Sequence, residues 1–183
     1  FGRIHRGAGS LDTLTWDDCS ALTSQTGLIQ YVSPVVRVNG QIIAGRNNWY
    51  ASILGVSDTY LNIRDWKLED GMFFTDRDIR SRRKVAVLGQ TVAENLFPGQ
   101  SPVGARIRIR NVPFTVIGVL EEKGQSATGM DSDDVVLAPS TTVSYRLSDG
   151  KNIGSIMVSA VSMDVMDETQ AEITAILRRT HRL

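Results

Sequence analysis

Residues 29–56 read as extended chain, because β-branched and aromatic side chains recur through them and fit a pleated, half-buried surface better than a helix. Asn39-Gly40 lies inside this run. Both residues accept positive φ, which a type I′ turn requires at its two central positions. The stretch is therefore predicted to be a β-hairpin with arms Ile29–Val38 and Gln41–Val56.

A second region, Thr91 to Gly124, reads "TVAENLFPGQSPVGARIRIRNVPFTVIGVLEEKG". Gly99 and Gly104 have the glycine spacing of a phosphate-binding loop, but Ala105-Arg106 follows where Lys and a hydroxyl residue are needed. Nucleotide binding fails that test. Turn chemistry accounts for the same residues: Thr91-x-x-Glu94 has the form of a capping box, Val92–Phe97 a short helix, and Pro98-Gly99 a stop.

Around these segments, Thr15 with Asp18 predicts the start of a helix over residues 15–26, ended by Gly27. Ser57–Ile63 suggests a helical turn, and the charge-dense residues 65–84 a surface loop. Short strands are predicted at Val85–Leu88, Ala105–Arg110, Pro113–Glu121, Val135–Ala138 and Ile153–Val161, with a mobile loop over Glu122–Asp134. Met166, Ile173, Ile176 and Leu177 recur at helical spacing, and Arg178, Arg179 and His181 sit where cations favour a helix C-terminus.

Charge and composition exclude several functions. Twenty basic residues balance twenty acidic ones over 183 residues, so no basic excess marks a nucleic-acid partner. A hydrophobic content of 42% is that of a globular chain with a real core. No apolar run reaches the roughly 20 residues of a membrane-spanning helix, and the segment as given reads as soluble. Cys19 is the single cysteine and forms no intrachain disulfide.

Catalytic, cofactor and metal residues are expected to be absent. The two histidines, His5 and His181, stand beside the chain ends and read as solvated surface, so a nucleophile with its base cannot be assembled. In Gly124–Gly129 the second glycine comes one position late for a nucleophile elbow. Asp131, Asp133 and Asp134 begin like a calcium loop, but Val135 and Thr142 occupy ligand positions, leaving a solvated loop. Arg106, Arg108 and Arg110 alternate with Ile107 and Ile109, the pattern of a strand with one wet face. The cluster Arg77, Arg80, Arg82, Arg83 and Lys84 is flanked by Asp70, Asp76 and Asp78 and reads as a balanced surface loop, with contact to anionic lipid headgroups or an acidic partner as its alternative. Trp49, Tyr50, Phe73 and Phe74 are expected in the core.

The series "YLNIRDWKLEDGMFFTDRD", "KVAVLGQTVAENLFPGQSPVGARIRIRNVPFTVIGVLEEKG" and "DDVVLAPSTTVSYRL" resembles the periplasmic core domain of MacB-type ABC transporter permeases, a group that includes lipoprotein-release permeases. The similarity covers nearly the whole chain from Leu14, except that the strand usual before the glycine-rich start is not evident. What it implies is an α+β fold: a porter-like α/β subdomain formed by both chain ends, residues 1–63 and 152–183, with a β-rich, sabre-like subdomain, residues 64–151, inserted between them. The strand near Ile153–Val161 should then pair with the hairpin and not with the 105–121 strands.

The resemblance further implies an extracytoplasmic domain of an inner-membrane protein that carries ATP-driven motion to substrate export or release, without enzymatic chemistry or cofactor of its own. Its partners would be its own transmembrane and ATPase segments or a separate ATPase subunit, a periplasmic adaptor, and a second copy or homologue in a homo- or heterodimer, with no nucleic acid. The alternatives are an FtsX-like regulator, a lipoprotein-binding module and, less in keeping with the residues, an extracytoplasmic hydrolase.

Overall fold

The computed structural model describes residues 14–25, 27–125, 129–150 and 153–181 in full, and residues 3–6 as backbone. The chain divides into two compact units: residues 1–35, 59–65 and 151–183 make the first, and residues 36–58 and 66–150 the second. Residues 36–58, read from the sequence as part of the chain-end subdomain, belong to the second unit. The reason is pairing, because this part of the hairpin hydrogen-bonds to strands of the middle block.

In the first unit, β1 (Arg3–Arg6) pairs antiparallel with β9 (Ser155–Ala160), and β9 pairs antiparallel with Ile29–Val35 of the long strand β2 (Ile29–Ala44). The expected partnership of the 153–161 strand with the hairpin is met. The strand usual before the glycine-rich start, not evident from the residues, is present as β1; its sequence, Arg-Ile-His-Arg, lacks the apolar alternation that announces a strand. Helices α1 (Trp16–Ser24) and α6 (Met166–Thr180) pack together, with α6 entered through a 3₁₀ turn at Met163–Val165. Ile173, Ile176 and Leu177 are buried on α6, as their spacing requires. A short helix, α2 (Tyr60–Arg64), completes this unit beside β9.

In the second unit the hydrogen-bonded strands close on themselves. The rest of β2 pairs antiparallel with β3 (Asn47–Val56), which runs parallel to β8 (Val135–Pro139). β8 is antiparallel to β5 (Val85–Leu88), and β5 is parallel to β7 (Val112–Leu120). β6 (Arg106–Ile109) then pairs with both β7 and β2, completing the circuit. Closure removes sheet edges, the weak points of an open sheet. β4 (Leu68–Gly71) stays outside the circuit on β7. Alternation along the ladders buries Ile42, Ile53, Ile107 and Ile109 and leaves Gln41, Arg106 and Arg108 wet. Helices α4 (Gln90–Leu96) and α5 (Ser140–Leu147) pack against β3, and α3 (Asp76–Arg80) against α5.

The hairpin turns at Gly45-Arg46, not at Asn39-Gly40, which stays in the ladder opposite Ser52 and Ala51. Gly45 has φ +58° and Arg46 is not among the positive-φ residues, the pattern of a type II′ turn. This placement pairs all of Val36–Ala44 with Asn47–Gly55. Cross-strand pairing over that length outweighs the local preference of one dipeptide. Type I′ chemistry occurs instead between β6 and β7, where Arg110 and Asn111 have φ of +49° and +65°.

Two further expectations are corrected, and one helix is additional to them. Residues 65–84 hold β4 and α3, the latter started by a Thr75–Asp78 capping box. The Thr91–Glu94 box does not form: Gly89 is the N-cap of α4, and the Thr91 hydroxyl bonds to Asp131. Helix α5 has no counterpart in the sequence reading, since Ser-Thr-Thr-Val favours caps and strands over helix interiors.

Candidate functional site

Asp18 stands third in helix α1, where its carboxylate accepts the Thr15 N–H at 2.9 Å while the Thr15 hydroxyl accepts the Asp18 N–H at 3.3 Å. This capping box is the one the local sequence predicts. The same carboxylate reaches across to the end of α6. The Thr180 hydroxyl is 2.6 Å from Asp18 Oδ1, and His181 Nε2 is 2.8 Å from Asp18 Oδ2. One buried side chain thus ties the first turn of α1 to the last turn of α6.

Burial alone would raise the Asp18 pKa, but hydrogen bonds from the Thr180 side chain, the Thr15 backbone and His181, with the charge of His181, hold it below its ordinary value. His181, expected as solvated surface, has only 26% of its side chain exposed. Cys19 next to this cluster is a poor nucleophile: burial, then the Asp18 charge, push its thiol up to about 12. Among the described residues no hydroxyl or thiol hydrogen-bonds to the His181 ring, so the arrangement ties two helices and does not assemble a nucleophile with its base. The side chain of His5 lies outside the described residues.

Of the acidic trio read as a solvated loop, Asp131 is exposed and Asp134 half-buried, while Asp133 is buried and acts as a latch within the second unit. Asp133 is 3% exposed and accepts the N–H groups of Lys123 and Gly124 at 2.7 and 2.9 Å. Asp131 accepts the Thr91 hydroxyl at 2.5 Å and the Asp133 N–H at 2.9 Å, and Asp134 accepts the Trp49 indole N–H at 2.7 Å. Acceptors occupied in this way hold α4, β3, Lys123–Gly124 and Asp131–Asp134 together. Among the described residues no three His, Cys, Asp or Glu side chains converge as metal ligands. The residues of the discarded nucleophile elbow lie partly outside the described chain.

The basic residues divide by environment. Arg80 and Arg83 pair with Asp76 and Asp78 at 2.9 and 3.2 Å, and Arg82 stacks 3.6 Å over the Tyr145 ring. Arg106 and Arg108 are exposed as predicted. Arg110, in the turn after β6, is exposed as well and in addition donates to the carbonyls of Leu147 and Asn39 at 2.7 and 2.8 Å. Of the aromatics, Phe74 is buried and stacked on half-buried Phe73 with centroids 4.0 Å apart, and Trp49 is half-buried. Tyr50, expected in the core, is 62% exposed because it alternates with Trp49 on β3.

Residues 2–176 match the family model of the MacB-like periplasmic core domain. A macrolide export ATP-binding/permease protein MacB of Syntrophobacter fumaroxidans is 42% identical over 162 residues, which are 88% of this chain and 22% of that protein. The corresponding protein of Rhodospirillum rubrum is 39% identical over 178 residues, 96% of this chain and 27% of its own length. The chain thus spans about a quarter of the length of these relatives. Among solved structures, the periplasmic region of MacB from Actinobacillus actinomycetemcomitans superposes with a TM-score of 0.84 at 24% identity, covering 98% of this chain and 83% of that one. The extracellular domain of the noncanonic ABC-type transporter YknZ from Gram-positive bacteria gives 0.80 at 19%, covering 98% and 92%. At these identities the two structures establish the fold alone.

Proposed function

The chain belongs to the family of MacB-like periplasmic core domains, and from that premise we propose that it is the extracytoplasmic part of a transporter permease that passes cytoplasmic ATP-driven motion to export or release of substrate. Its role is mechanical. The observation that carries this reading is the Asp18 junction: β1, α1 and α6 all belong to the first unit, and Asp18 bonds the last turn of α6 to the start of α1. Movement delivered to either helix would reach the other through one buried carboxylate. On the same reading the first unit is the porter-like part and the second the sabre-like part, and the partners are transmembrane and ATPase segments, a second permease copy or homologue, and a periplasmic adaptor.

No helix among the described residues is long and apolar enough to cross a membrane. The proposal therefore assigns the crossing to segments of a longer protein. Two measurements test it in the full-length permease. A cysteine placed at exposed Tyr50 should react with a membrane-impermeant maleimide in spheroplasts. Asp18→Ala should leave ATP hydrolysis in place while export falls. Labelling only after lysis would overturn the placement, and unchanged export would overturn the coupling.

A further inference from the structure

An open groove of about 720 Å³ lies within the second unit, between α4 with the segment that follows it and strands β4 and β7. Its apolar lining includes Ala93, Phe97 and Val119, of which Ala93 and Val119 are buried and Phe97 half-buried. Glu69, Asp70 and Glu94 stand on its rim, all exposed. Gln90 donates to Glu69, and the Ser101 hydroxyl is 3.4 Å from Asp70 Oδ2, so polar contacts cross the groove at two points. None of the three carboxylates forms an ion pair with a cation among the described residues.

From this geometry we infer that the groove is a docking site for an extended segment of a partner protein bearing lysine or arginine. Charge complementarity selects the occupant: aliphatic stems of Lys or Arg can cover the apolar lining while their cationic ends meet the carboxylates. β4 supplies a second feature of a segment site. It ends the order of strands, and among the described residues β7 is its only strand partner, so its other edge can accept an added strand through main-chain hydrogen bonds. A small organic cation fits less well, because pockets for such ligands enclose most of the ligand surface and this groove is open.

The test is fluorescence anisotropy of a labelled peptide of alternating lysine and valine against the whole chain, beside a counterpart with glutamate for lysine. Saturable binding of the lysine peptide that weakens as salt rises is expected, with none for the glutamate peptide. Glu94→Lys should lower affinity roughly tenfold, whereas Glu172→Lys at an exposed position of α6 should not. Should Glu94→Lys lower the thermal midpoint, Glu94→Gln takes its place, with a loss of about threefold. Equal binding of the two peptides, unchanged affinity in the Glu94 variant, or no saturable binding overturns the proposal. So does displacement of the peptide by an equal concentration of benzyltrimethylammonium, which would assign the groove to small organic cations. Failure here leaves the transport reading intact, because that rests on the Asp18 junction and is tested by labelling and export.

Discussion

His181 Nε2 lies 2.8 Å from Asp18 Oδ2, so two residues 163 positions apart close the packing of α1 on α6. Replacing Asp18 by Ala removes the capping acceptor and the acceptor for Thr180 and His181 together. A loss of roughly 2 to 3 kcal/mol is expected, since hydrogen bonds to a buried charge are worth more than neutral ones. Denaturant unfolding of the variant beside the parent chain measures it.

The same carboxylate sets an acid limb of stability. Its folded-state pKa lies below the ordinary value of 3.8, so the unfolded chain takes up its proton first as pH falls. The contribution is complete above the unfolded-state value and is lost as pH drops from there through the folded-state value. Asp18→Asn should therefore flatten stability against pH below about pH 4 while lowering stability at neutral pH. Equal acid slopes for the two proteins would show that the group does not titrate in this way.

Gly89 makes a different prediction, one of close approach. A Cβ at this position would lie 2.2 Å from the Asp133 carbonyl oxygen, and backbone has little room to yield. Gly89→Ala should cost about 3 kcal/mol, visible as a lower urea midpoint at unchanged m-value. Gly99→Ala serves as the comparison for steric contact: its built Cβ meets nothing within 4 Å, and only its φ of +71° opposes the substitution.

Asp133 should be as sensitive as a core residue. Asp133→Ala removes the acceptor of the Lys123 and Gly124 N–H groups, at a cost of about 2 kcal/mol. Amide hydrogen exchange should rise at those two positions before it rises in β7.

Ser144 offers a gain. Among the described residues its buried hydroxyl has no hydrogen-bond partner, so Ser144→Ala on α5 removes an unsatisfied polar group and improves helix propensity. The variant should be more stable by about 1 kcal/mol. A lower thermal midpoint would mean that the hydroxyl has a partner in solution.

Local chemistry was legible from the residues. Thr15 and Asp18 announced α1, the spacing of Ile173, Ile176 and Leu177 announced α6, and alternation with Ile107 and Ile109 placed Arg106 and Arg108 in water. Each of these depends on neighbours within one or two turns or along one strand. The quoted series from Tyr60 to Leu147 also carried the family, because many local preferences agree along it.

Long-range pairing decided the rest. Asn39-Gly40 has the residues of a turn, yet it lies in a ladder because Val36–Ala44 gains a partner over its whole length when the chain reverses at Gly45. Arg-Ile-His-Arg has no strand signal and becomes β1 because β9 offers it an edge. Thr91 gives up its capping role to Asp131, and His181 finds a partner at Asp18 that no sequence window contains. A residue's propensity acts within a few positions at tenths of a kcal/mol up to about 1 kcal/mol. Burial and hydrogen bonding between distant segments are larger in sum, and they form only once the chain has folded.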